Sequence, residues 1–279
     1  MASVRSPVRD FLKPILYRLG GDTSYVWFQT FGKVRDIKRR MVEEPEMALL
    51  PHLLDSQGVS IDIGANFAYY TVRLAELCSE GHVYAFEPIP FTCRVCSKVI
   101  RHFGLSNVSL FEKGVGERDA RLRFEVPVQK AGSLSAGQAH LSSRSNMLPG
   151  KEKYHNFEQH RSFDCDVVSI DSFLPDLRRL DFVKIDIEGA ELLALKGMKR
   201  TLERLKPVVL IEVCPFFLRG FGISEEDLRS QVASTGFQFF RFSESRRRLD
   251  LYDGAFEDGN YFLIHRSRQA SLCGQVFHA

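Results

Sequence analysis

From residue 59 onward, short apolar runs alternate with longer amphipathic stretches. Val59–Ile63, His82–Phe86, Val108–Phe111, Asp181–Ile185, Val208–Val213, Phe237–Phe242 and Tyr261–His265 are rich in β-branched and aromatic residues and predict strands. Between them, Asn66–Cys78, Phe91–Phe103, Ala190–Leu205 and Ser224–Thr235 repeat their apolar positions at helical spacing. Strand and helix in alternation predict a parallel, doubly wound α/β sheet. The last two strands are joined by a connection too short for a helical crossover, so they are expected to pair antiparallel.

Two regions depart from this rhythm. Residues 1–50 read as an N-terminal helical segment: Val8, Leu12, Ile15, Leu16 and Leu19 recur at helical spacing, and Gly20 and Gly21 are expected to stop that helix. A second helix is expected over about 24–40 and a third over Glu44–Leu54. The other departure is 128–163, rich in Ser and Gly and poor in large apolar groups. It is flanked by strand-like Leu122–Val126 and Cys165–Ile170. Residues 120–170 therefore read as an inserted β-arm carrying a cover over the active site. The organisation is thus 1–50 helical and basic, 51–266 α/β with the insertion, and 267–279 a tail.

Charge sharpens the N-terminal picture. Across 279 residues the formal net charge is +3, yet residues 1–40 hold nine Lys and Arg against three Asp, a net of +6. That arm could meet an anionic membrane or a lipid-linked glycan. No run approaches the roughly 20 apolar residues of a membrane span, and no secretory leader is evident, so a cytoplasmic location is expected. The six cysteines are scattered. Cys93 and Cys96 form the sole C-x-x-C and read as small buried helix side chains, not as half of a zinc site.

The candidate chemistry lies at the strand ends. The first strand runs into Asp62-Ile-Gly64-Ala65-Asn66-Phe-Ala68-Tyr-Tyr70-Thr71, a small-residue turn followed by a helix N-terminus. Such a turn lets backbone approach a ligand. The second strand ends in Phe86-Glu87-Pro88, where an acid is placed to accept hydrogen bonds from ribose hydroxyls. These motifs, with Ser169-Ile-Asp171-Ser-Phe and Lys184-Ile-Asp186-Ile-Glu188-Gly189-Ala190-Glu191, resemble in this order the FkbM family of S-adenosylmethionine-dependent methyltransferases. The resemblance covers roughly residues 44–265.

The resemblance implies a class I methyltransferase (Rossmann-like) fold with a seven-stranded sheet, order 3-2-1-4-5-7-6, strand 7 antiparallel. It implies S-adenosylmethionine as methyl donor and O-methylation of a sugar, glycolipid, polysaccharide or related natural product. Asp62, Gly64, Ala65, Asn66 and Thr71 would surround the methionine moiety and Glu87 the ribose, with Tyr70, Pro88 and Asp186 completing the cofactor set. Val115 and Gly116, in the turn after the third strand, would edge the adenine. The family's usual glycine is Ala68 here, at a position read as serving close helix–strand packing.

Transfer to an alcohol needs positioning and a proton acceptor. Asp186 and Glu188, beyond the fourth strand, and Glu212, in the apolar fifth, are the carboxylate candidates, and His140 of the arm the histidine candidate, with His155 and His160 beside it in sequence. Asp186 and Glu212 could also hold Mg²⁺, the less favoured reading. Asp186, Glu191 and Asp171 also suit helix capping. The expected partner is a small-molecule or glycan acceptor, not nucleic acid, and a homo-oligomer is compatible. A nicotinamide oxidoreductase, disfavoured by a first loop without G-x-G-x-x-G, and a non-catalytic adenosyl-binding protein are the competing readings.

Overall fold

The computed structural model describes residues 7–128, 134, 138–145 and 159–272, with side chains from residue 23 onward. Its centre is an eight-stranded sheet. The strands are β1 (Val59–Ile63), β2 (His82–Phe86), β3 (Val108–Phe111), β8 (Phe182–Ile185), β9 (Val208–Val213), β10 (Phe237–Ser243), β11 (Arg248–Leu251) and β12 (Gly259–His265). The order is β3-β2-β1-β8-β9-β12-β10-β11. β12 runs antiparallel to both β9 and β10. The expected seven-strand order is therefore present, extended at one edge by β11, which pairs antiparallel with β10. The segment expected to be a plain connection supplies that extra strand.

Alternation along the strands divides the helices between two faces. Ile61, Ile63, Val183, Ile185, Val209 and Ile211 pack toward α6 (Glu191–Gly197), α7 (Lys199–Leu205) and α8 (Glu225–Ser234). On the opposite face, Phe182, Val208, Leu210 and Phe262 meet α2 (Leu50–Leu53) and α3 (Tyr69–Leu77). Met47, Leu49 and Leu50 belong to this same buried cluster, so packing continues across residue 50. Outermost, α1 (Pro7–Lys38) lies on α4 (Pro90–His102), with Tyr25 stacked on Phe91 at 5.3 Å. Cys93 and Cys96 are buried side chains of α4, as expected.

Several helix boundaries differ from expectation. α1 passes through Gly20 and Gly21 without a break; a helical glycine costs only about 1 kcal/mol relative to alanine, which a long helix tolerates. The stretch Glu44–Leu54 is a 3₁₀ turn, Pro45–Leu49, followed by the short α2. The helix expected over Ala190–Leu205 is two helices, because Met198 leaves helical geometry (φ −124°, ψ 19°). Gly197 sits there against the carbonyl of Gly116, where a Cβ would come within 1.9 Å.

α7 starts under a carboxylate from elsewhere in the chain. Asp171, in α5 (Ile170–Phe173), accepts hydrogen bonds from Arg200 N and Thr201 N at 2.9 Å and from Thr201 Oγ1 at 2.7 Å. It holds a helix end. Asp171→Ala is expected to lower stability by about 1–2 kcal/mol, the usual worth of such a cap, read by chemical denaturation.

The insertion forms a second small sheet, β4-β7-β5-β6, from β4 (Gly114–Val115), β5 (Ala120–Val128), β6 (His140–Leu141) and β7 (Gln159–Val168). The expected β-arm is thus present. His155, and most of the segment read as a cover, lie outside the described residues.

Candidate active site

The turn after β1 is fixed by backbone geometry. Gly64, Asn66 and Ala68 all have positive φ (84°, 48° and 67°). Gly64 N and Ala65 N both donate to Phe86 O, at 3.0 and 2.9 Å, fastening the turn to the end of β2. A Cβ on Gly64 would lie 2.0 Å from the carbonyl oxygen of Asp186. The ends of β1 and β8 therefore touch backbone to backbone. Ala68 is fully buried and left-handed at the start of α3. Its backbone, as well as close packing, explains why glycine suits that position.

Glu87 clasps the same turn from β2. Its Oε2 accepts from Asn66 N at 2.9 Å and its Oε1 from Ile89 N at 3.0 Å. Burial pushes its pKa up to about 7 despite these two bonds. The side-chain oxygen of Asn66 is buried with no partner of its own. An unpaired acceptor in such a turn is costly unless a ligand answers it.

Behind the turn lies a buried polar cluster. Thr71 Oγ1 donates to Asp62 Oδ2 at 2.5 Å, and burial raises Asp62 to about 6. Lys184, 1% exposed, has its Nζ 3.8 Å from Asp186 Oδ2 and donates to Asn260 Oδ1 at 3.2 Å. It keeps its proton: burial works against the charge, but the neighbouring carboxylates, Asp186 foremost and then Glu44, outweigh it. Glu44 Oε2 accepts from Tyr70 Oη at 2.7 Å and from Asn260 Nδ2 at 2.9 Å. The N-terminal segment thereby reaches the strand ends, a contribution that nothing in its sequence pattern announced.

Asp186 and Glu212 form a hydrogen-bonded pair. Burial would raise Asp186, but the Lys184 ammonium and the bond from Glu212 hold it below the usual carboxylate range. The negative charge of Asp186, then burial, pushes Glu212 far up. At neutral pH Asp186 is ionised and Glu212 carries the proton it donates. Glu212, a base candidate in the sequence, is thus bonded to Asp186, whose negative charge raises its pKa. No group of three or more His, Cys, Asp or Glu with metal-holding geometry occurs among the described residues.

Glu188 occupies the loop after β8, itself left-handed (φ 56°), followed by Gly189 at φ 105°. A Cβ on Gly189 would strike Phe217 at 2.8 Å. Glu191 braces the loop, its Oε1 accepting from Ile187 N at 3.3 Å and Gly189 N at 3.0 Å. Burial, then the charge of Asp186, raises Glu188 to about 8, with Arg144 opposing. Arg144, after β6, donates to Glu188 O at 2.7 Å and stands 3.8 Å from its Oε2. Its guanidinium covers the Phe217 ring at 4.3 Å. This arginine, missed in the sequence, ties the arm to the β8 loop; an Arg in a Ser-rich insertion gives no signal of its own.

Other expected site residues are placed differently. His140 is 3% exposed in the small sheet, its Nδ1 2.9 Å from Gln138 O, and burial pushes its pKa down to about 4. A buried imidazole of such low basicity is a poor proton acceptor, which sets His140 against the role that the sequence offers it. Gly116 N donates to Val168 O at 3.0 Å and its carbonyl meets Gly197. Val115 is 6% exposed in β4. The Gly116 amide is thus taken up in the small sheet, and Val115 is buried beside it. Tyr70 and Thr71 are buried supports of Glu44 and Asp62 rather than exposed ligand contacts. A cavity of about 230 Å³ between Lys38, Tyr69, Val72, Arg73 and Phe103 includes none of these carboxylates.

The raised carboxylates set a pH dependence. A group whose folded pKa lies above its unfolded value stabilises the fold at low pH and loses that contribution as pH climbs through the folded value. Asp62 at about 6, Glu87 and Glu191 at about 7 and Glu188 at about 8 all act in this sense. The apoprotein is expected to lose stability between about pH 5 and 8, by a few kcal/mol, read as a falling Tm across that window in thermal melts.

Residues 62–239 match the profile of the methyltransferase FkbM domain, well over half of the 279 residues. The chain belongs to this family. A curated relative, Methyltransferase 1 of Beauveria bassiana (strain ARSEF 2860), is 25% identical over 161 residues, covering 55% of this chain and 64% of the relative. The crystal structure of methyltransferase FkbM from Methylobacillus flagellatus KT is 18% identical with a TM-score of 0.48, covering 85% of this chain and 59% of that one. The chain thus spans less than two thirds of either relative's length. S-adenosylmethionine is the family's methyl donor, and the residues present fit it: a turn with no room for a Cβ at Gly64, an unanswered amide oxygen on Asn66, and acids at three adjacent strand ends.

Proposed function

We propose that this FkbM-family chain is an S-adenosylmethionine-dependent O-methyltransferase acting on a hydroxyl of a sugar, glycolipid, polysaccharide or related natural product. The observation that carries the reading is the contact between the β1 and β8 tips, where Gly64 lies against Asp186 O with Glu87 on the neighbouring strand. Ligands of open α/β sheets bind beyond such strand ends.

In this reading Gly64, Ala65 and Asn66 hold the amino-acid end of the cofactor, backed by Asp62 on Thr71. Glu87 accepts from the ribose hydroxyls. The cofactor supplies an electrophilic methyl group on a positively charged sulfonium. Asp186, kept ionised by Lys184 and Glu212, puts negative charge beside that centre. Glu188 is the proton acceptor for the attacking hydroxyl. Its pKa of about 8 lies near working pH, where a general base is most effective, and its Oε2 is buried without a hydrogen-bond partner. Arg144 holds the Glu188 backbone in place from the arm.

Isothermal titration checks the first step: S-adenosylhomocysteine should bind and NAD should not. Mass spectrometry of glycan and glycolipid extracts, incubated with protein and S-adenosylmethionine, checks the second through a methyl increment. NAD binding would favour an oxidoreductase. Cofactor binding without transfer to any extract would favour a non-catalytic adenosyl-binding protein.

A further inference from the structure

The face built by α1 and α4 carries a charge pattern that the methyl-transfer site does not use. Across residues 23–40 and 90–102 there are eight lysines and arginines, and the one acid is Asp36. Asp36 is 1% exposed and faces Arg35 at 3.6 Å. Lys38, Arg39 and Arg40 at the end of α1, and Arg94 and Arg101 on α4, are exposed. Two large aromatic residues stand out of the same face one helical turn apart, Trp27 at 59% and Phe31 at 73% exposure. Lys98 of α4 reaches across α1, its Nζ 3.8 Å from the Trp27 ring centroid. α1 turns Tyr25, Val26 and Val34 inward against Phe91, Val95 and Val99, so Trp27 and Phe31 are not needed for that packing.

We propose that the α1–α4 face is a docking surface for an anionic lipid membrane. A basic helix with protruding tryptophan and phenylalanine has the chemistry of an interfacial segment: the rings enter the headgroup boundary while Lys and Arg meet lipid phosphates. Near an anionic leaflet each basic residue adds attraction, and salt weakens it. The upstream residues of the same helix carry Val8, Leu12, Ile15, Leu16 and Leu19 among Arg9, Lys13 and Arg18, the same mixture. Trp27 and Phe31 stand out of this two-helix layer at 59% and 73% exposure, which suits insertion of the rings into a lipid headgroup boundary; single-stranded nucleic acid is bound by stacking within a basic groove. No helix among the described residues is long and apolar enough to cross a membrane, so the contact is peripheral. The surface stands whether or not the chain transfers a methyl group.

Trp27 is the single tryptophan of the chain and reports directly on this face. The full chain is mixed with vesicles of phosphatidylcholine alone or of phosphatidylcholine with phosphatidylglycerol, and Trp27 emission is followed with sedimentation. With anionic vesicles a blue shift is expected, with quenching by brominated lipid and loss of binding as salt is raised. The triple variant Arg94→Glu/Lys98→Glu/Arg101→Glu, its fold checked by circular dichroism, should lose on the order of 100-fold in vesicle partitioning. Phe31→Ala, which keeps the reporter, should weaken it by roughly tenfold. Unchanged emission and no co-sedimentation at low salt would overturn the proposal. So would equal binding to neutral vesicles, or quenching by single-stranded RNA with silent anionic vesicles.

Discussion

Glu188→Gln is expected to slow methyl transfer by on the order of 10²–10⁴-fold, the usual contribution of a positioned general base, while S-adenosylhomocysteine binds nearly as well. The wild-type rate should rise with pH through about 8, because the active form is the ionised carboxylate and burial raises its pKa to that value. The glutamine variant should lose this rise. Arg144→Gln supplies an independent readout. Arg144 works against the upward shift of Glu188, so its removal should move the rising limb to higher pH. Stopped assays across pH 6–10 at saturating cofactor would check all three. A Glu188→Gln enzyme with wild-type rate and pH profile would remove Glu188 from the chemistry and return attention to Asp186, which stays ionised over the whole range.

Gly64→Ala should abolish cofactor binding and cost the fold roughly 3–5 kcal/mol. A left-handed alanine alone is worth about 1–2 kcal/mol of strain. The larger cause is steric: the new methyl would stand 2.0 Å from Asp186 O, and the obstacle is backbone, which cannot rotate away. Opening that contact separates the tips of β1 and β8, and with them the bonds from Gly64 N and Ala65 N to Phe86 O. Values of this size are diagnostic of backbone or core damage. Chemical denaturation and titration with S-adenosylhomocysteine would measure the two losses. Substitution at Ala68, also left-handed but without a backbone clash, offers a contrast: Ala68→Gly should be tolerated.

Much of this architecture was legible along the chain. The strand runs stood out because buried parallel strands are nearly continuous apolar segments bounded by turns. Their order followed from the resemblance and agrees with the observed sheet, except for β11, whose short alternating run Arg248–Leu251 is too polar to read as a strand by itself. The split between α6 and α7 was invisible because its causes, the Gly116 carbonyl and the Asp171 cap, lie at least 26 residues away in sequence. The acids at the strand ends could be found from their motifs, but their protonation could not. Glu212 and Asp186 look alike in sequence. Their proximity, with Lys184 beside Asp186, makes one an acid and the other a carboxylate.

By itself, then, the sequence determined the alternation of strands and helices, the small-residue turn after β1, the acids that follow β2 and β8, and the basic character of the N-terminal arm. These are local properties, set by periodicity and by residues adjacent in the chain. Tertiary structure alone decided that His140 is buried and weakly basic, that Val115 and Gly116 pack inward, that Glu44 and Asn260 join Tyr70 and Lys184, and that Arg144 grips the Glu188 loop. Each depends on burial or on a partner far away in sequence, and electrostatic free energies are fixed by distance and desolvation in space.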